Sequence, residues 1–293
     1  MNKKTALVLS GGGAKGAFQF MAEKYAREVK GYHWEVIAGV SVGALNATML
    51  AMGKYQRLED LWQNISNNQI YTGRLNLWAL IKIAFGAKSV YSNKPLKRLV
   101  HKEYEPDKFN VDLRVGAVSL QSGEYVSFRL SDPGFKNAVL ASTAIPVVWA
   151  PVFVSPEYPD MVDGGVRNVS PLGDVLDSEP DEVVVINCGP EASPALNRPL
   201  GNALDVGMHA LDLALNEIFI TDLREFQRIN RNVKEAQAQG AVLTKVNGKP
   251  YKHYECKIIQ PDESLGDTLD FSTRATLMRM DAGWEKARQV LGD

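Results

Sequence analysis

Residues 39–43, GVSVG, fit G-x-S-x-G between a strand-like apolar run and a short helix rich in small residues, the form of a nucleophile elbow. A serine on such a turn takes a strained backbone so that its hydroxyl projects into a cleft, and side chains in place of Gly39 or Gly43 would crowd the turn. Ser41 would also stand at a helix start, whose positive end favours negative charge. A second stretch, ALVLSGGGAKGAF at 6–18, is strand-like, meets three glycines and resumes as a helix. Backbone N–H groups at such a junction receive negative oxygen, either a standing pyrophosphate or the transient oxyanion of acyl transfer. A tight strand-to-helix turn alone would use the same glycines.

The dinucleotide option requires an acid at the C-terminal end of the second strand. Glu35 has about the right spacing but begins its strand, and the strand's end, AGVSVGAL, has no carboxylate. A Walker loop needs Gly-Lys followed by Ser or Thr, whereas here Lys15 precedes Gly16 and Ala17 follows. In a parallel sheet, turns after consecutive strands open on the same carboxyl edge. The Gly12 and Gly13 N–H groups would then face a carbonyl carbon held at Ser41 Oγ, an oxyanion hole beside a nucleophile.

Serine needs a base. Of the four histidines, His33 begins the second strand, at the wrong end of the sheet, and His101 in RLVHKEY sits in a solvated helical setting. His209 lies among apolar neighbours and reads first as a packed histidine. His253, following a turn in GKPYKHYEC, is the remaining candidate for a Ser, Asp, His order. Asp163, in MVDGGVRNVSPL, is the stronger candidate: an apolar approach ends on the aspartate, and Gly164 and Gly165 let the chain turn tightly beside it. An ordinary Asp-Gly turn has the same look.

These residues need a scaffold. Strand, helix, strand and helix in the first fifty residues predict a parallel sheet with helices packed on it. LRVGAVSLQSGEYVSFRL reads as a hairpin turning at Ser122 and Gly123, FKNAVLASTAIP as a helix ended near Pro146, and DEVVVINCG as a buried strand. A long helix follows over about 202–238, then a late strand in YECKIIQP and a closing amphipathic helix. Without repeats or a low-complexity linker, residues 1–293 read as one α/β domain with a helical insertion around 55–110.

The chain is 45% hydrophobic, with 33 basic against 34 acidic residues. That balance gives no support to a nucleic-acid partner. Cys188 and Cys256 are too far apart for metal-ligand spacing or a disulfide framework. No metal or cofactor is expected. The apolar run behind MNKK is too short for a signal peptide, and none approaches the roughly 20 apolar residues that span a bilayer. A cytoplasmic protein is the expectation, peripheral at a membrane if LNLWALIKIAF at 75–85 is an interfacial lid helix rather than a core helix.

GGGAKGA, GVSVG and DGG, in this order and at these separations, resemble the patatin-like phospholipase family. SVYSNKPLKRLV, ASTAIPVVWAPV and DTLDFS with the closing helix are similar to further family segments, so the resemblance covers most of the chain. It implies a three-layer α/β sandwich with a mostly parallel sheet and a serine lipid acyl hydrolase acting on ester lipids without a catalytic histidine. Ser41 matches the nucleophile, Asp163 the base, and Gly11, Gly12 and Gly13 the oxyanion donors. Lys15 stands where the family more often has arginine, keeping the charge but losing the planar fork of donors. An acyltransferase and a catalytically silent lipid-binding protein are the alternatives on the same fold. Oligomeric state, headgroup and chain preference stay open.

Overall fold

The computed structural model describes residues 3–73, 88–89, 91–191, 199, 201 and 203–293, with backbone only at 203–205 and 208. The 75–85 stretch lies outside the described residues. A mixed sheet of seven strands forms the middle layer: β1 (Thr5–Leu9), β2 (Trp34–Val40), β3 (Asp112–Ser119), β4 (Tyr125–Arg129), β5 (Met161–Asp163), β6 (Glu182–Ile186) and β7 (Glu255–Ile259), in the order β4-β3-β2-β1-β6-β7 with β5 on β3. The β3–β2–β1–β6–β7 pairings are parallel, while β4 and β5 run antiparallel to β3.

The central strands are apolar on both faces because both are covered. Leu7, Leu9, Ile37, Val184 and Ile186 point into one core, and Ala6, Val8, Val36, Ala38, Val183 and Val185 into the other. The first core is closed by α1 (Gly16–Glu28), α2 (Val42–Ala51), α3 (Tyr55–Asn64), α5 (Lys94–Glu103), α6 (Phe135–Ala141) and α9 (Thr273–Leu291), with the short α4 (Asn67–Ile70) adding Ile70. The second is closed by α7 (Leu172–Leu176) and by Phe219, Ile220 and Leu223 of the long α8 (Ala203–Ala238). The result is a three-layer α/β fold.

One register detail positions the site. β2 pairs with β3 only as far as Val40 opposite Gly116. Beyond that the β3 edge is taken by β5 running the other way, with Asp163 opposite Ala117. The chain leaving β2 and the chain ending β5 therefore meet head-on along one strand, at adjacent β3 positions. The 135–146 helix is shorter than the sequence suggests, ending at Ala141. The following residues turn so that the Ala144 carbonyl accepts the Asp163 N–H at 3.0 Å, and the residue before Pro146 is biased away from helix in any case.

Candidate active site

Ser41 sits between β2 and α2 with φ 58° and ψ −128°, a conformation that a non-glycine residue holds only where its surroundings over-determine it. The surroundings are backbone. A Cβ on Gly39 would fall 2.4 Å from the Gly43 carbonyl oxygen, and one on Gly43 would fall 2.3 Å from that of Leu9. The Ser41 N–H is fixed by donation to Ser142 Oγ at 2.9 Å.

Asp163 is 5% exposed. Its Oδ1 accepts the Gly165 N–H at 2.8 Å, while the buried Oδ2 has no partner of full hydrogen-bond geometry. Burial pushes the carboxyl from an ordinary 3.8 up to about 7, and the nearby Ser41 hydroxyl and the Gly165 N–H pull it only part of the way back. A carboxylate poised near neutral pH can exchange protons with a neighbouring hydroxyl, which one near 4 does poorly.

The glycine loop packs on this pair: a Cβ on Gly11 would touch Ser41 Cβ at 3.3 Å. Gly11 differs from the two glycines that follow it: its N–H donates to the Val169 carbonyl at 3.0 Å, which ties the glycine loop to the segment after Asp163. The Gly12 and Gly13 N–H groups meet no acceptor among the described residues, and Gly13 holds φ 56°. Lys15 lines the same cleft. It draws down the carboxyl of Asp212, which burial pushes up. Cys188 also lines the cleft, but burial pushes its thiol up to about 12, which removes it as a rival nucleophile at neutral pH.

Two spaces meet at Ser41. One is apolar, lined by Val42, Leu45, Met49, Leu58, Trp62 and Val100. The other is a wider cleft of mixed lining that carries the polar and charged groups Lys15, Asp163, His209 and Asp212 beside Gly12 and Gly13. An ester at Ser41 would thus have hydrocarbon space on one side and, on the other, a space that offers charged and polar groups. His253 precedes β7 at the sheet's amino edge, the end opposite Ser41.

The family profile described as Patatin-like phospholipase matches residues 7–176, a span that takes in the glycine loop, the elbow and Asp163. The chain belongs to the patatin-like phospholipase family. Membership supports a lipid acyl hydrolase activity in general terms. Among solved structures the chain is similar to VipD from Legionella pneumophila, at 14% identity and TM-score 0.51, over 99% of this chain and 67% of that one. At that identity the likeness bears on the fold. No curated protein matches.

Several residues that hold this patatin-like site together carry no sequence motif. Beneath the glycine loop, Gln19 Nε2 donates to the Ser10 carbonyl at 2.7 Å, Asn46 Nδ2 to the Gly16 carbonyl at 2.9 Å, and Trp62 Nε1 to Asn46 Oδ1 at 2.9 Å. A polar residue on an otherwise apolar helix face is the only signal that Gln19 and Asn46 give in advance. Gly16 is needed for closeness, since a Cβ there would meet Val42 Cγ2 at 2.3 Å. Gly164 is needed likewise, its Cβ position lying 2.4 Å from the Gly116 carbonyl oxygen.

Proposed function

We propose that this protein hydrolyses acyl esters of phospholipids or related lipids through a Ser41–Asp163 dyad. Asp163 takes the Ser41 hydroxyl proton as Oγ attacks the ester carbonyl. The oxyanion is received by the Gly12 and Gly13 N–H groups, and Asp163 returns the proton to the departing alcohol. Water, deprotonated by the same carboxylate, then releases the fatty acid. The observation that carries the reading is the placing of a strained serine beside a buried aspartate on one cleft, burial pushing that carboxyl up to about 7. The acyl chain occupies the apolar space and the headgroup the polar cleft. Residues of α3, α4 and α5 within 55–110, including Trp62, Ile70 and Val100, act as a cap over the acyl chain. Contact with a membrane surface is transient, as substrate access requires.

Fatty-acid release from phosphatidylcholine vesicles tests this. Ser41→Ala and Asp163→Ala should each lose about 10³-fold or more in kcat while keeping the wild-type circular dichroism. Retained turnover in Asp163→Asn together with its loss in His209→Ala, the histidine lining the cleft, would overturn the dyad. Release of an acylated acceptor in place of free fatty acid would point to transferase chemistry.

A further inference from the structure

We propose that Arg279 is a positioning residue for this chemistry. From α9 it clamps the 265–270 segment onto the glycine loop and so holds the Gly12 and Gly13 N–H groups where an oxyanion forms. The inference rests on the hydrolase reading and goes beyond it, to a residue outside the 7–176 family match.

Arg279 is 1% exposed and is the largest fully buried side chain among the described residues. Among the described residues it pairs with no carboxylate, and every donation is to a backbone carbonyl. Nε reaches Leu265 at 2.8 Å, Nη1 reaches Asp270 at 2.6 Å and Ala14 at 3.3 Å, and Nη2 reaches Asp267 at 2.9 Å. A buried cation is costly unless such bonds satisfy it, and charge-assisted bonds from a planar fork do so directionally. The clamped segment is itself pressed on the loop. The Thr268 carbonyl accepts the Ala14 N–H at 2.8 Å, and a Cβ on Gly13 would lie 2.3 Å from that same oxygen. Ala14 is therefore held at both ends, its N–H by Thr268 and its C=O by Arg279. The peptide planes next in line are those of Gly13 and Gly12. Lysine keeps the charge but presents one nitrogen, which cannot span carbonyls on different sides of a guanidinium.

The test compares wild type, Ser41→Ala, Arg279→Lys and Asp267→Ala on a soluble short-chain ester, p-nitrophenyl butyrate, with amide hydrogen exchange alongside. Misaligned donors cost turnover rather than binding, so Arg279→Lys should lose about 10- to 100-fold in kcat with KM within about 2-fold. The Ala14 amide should exchange faster while β1 amides keep their protection. Asp267→Ala removes an exposed carboxylate that accepts the Leu269 N–H at 2.8 Å. It loosens the clamped segment without touching the core, so it should give a smaller kcat loss in the same direction, and it carries the test if Arg279→Lys does not fold. Full kcat in Arg279→Lys overturns the inference. So does a kcat loss accompanied by equal damage to KM and β1 protection, and so does wild-type kcat in Asp267→Ala when Arg279→Lys is unfolded. Wild-type protein no more active than Ser41→Ala overturns the hydrolase reading itself, and this inference with it.

Discussion

At the scale of single residues, the proposed dyad makes Asp163 the group that sets the pH behaviour. A base must be ionised to accept a proton, so kcat/KM should rise with pH through about 7 and level off above it. The same shift has a stability consequence. Between an ordinary 3.8 and about 7 the folded protein keeps a proton that the unfolded chain has lost. Stability contributed by this group is therefore present at low pH and falls as pH rises across that window. Asp163→Asn, inactive by the dyad account, should melt at a higher temperature than wild type at pH 8, with the gap closing toward pH 4. A gap that is constant with pH would mean the carboxyl is not held near neutrality. Ser41 and Asp163 stand out in the sequence as candidates because each lies within a short glycine-marked motif, and the fold places both on one cleft. The tie between the Gly11 N–H and the Val169 carbonyl has no signature in the sequence, because that acceptor belongs to a loop distant in sequence.

Elements supply the reach that motifs lack. Strands β1, β2 and β6, the hairpin and α8 follow from apolar runs, turn glycines and helical period. The head-on meeting of β2 and β5 along β3 has no local signature, since a three-residue strand is set by whichever edge is free. Ser142 is similar: it bonds Ser41 across 101 residues of sequence, where its own neighbours announce only a small-residue helix end. The helices that line the apolar space make a further claim. Leu45→Trp should fill the part of that space nearest Ser41. Turnover of long-chain esters should fall about 10-fold or more while short-chain esters are spared, as expected when a hydrophobic pocket is shortened. Equal losses on both would place the acyl chain elsewhere.

Across the whole molecule, the carboxyl edge of the sheet gathers the glycine loop, the elbow and the 264–270 segment around one opening, where ligands of open α/β sheets bind. Among the described residues no helix is long and apolar enough to cross a membrane. The C-terminal third closes the first core through α9 and braces the glycine loop through Thr268 and Arg279, contacts that join residues up to 265 positions apart and that periodicity cannot foretell. The proposed chemistry begins at one serine. Treatment of the full chain with a fluorophosphonate probe, followed by mass mapping of the adduct, should place the label on Ser41, with a rate that rises through about pH 7 as Asp163 ionises. A label on any other residue, or none on a protein that hydrolyses lipid esters, would contradict it.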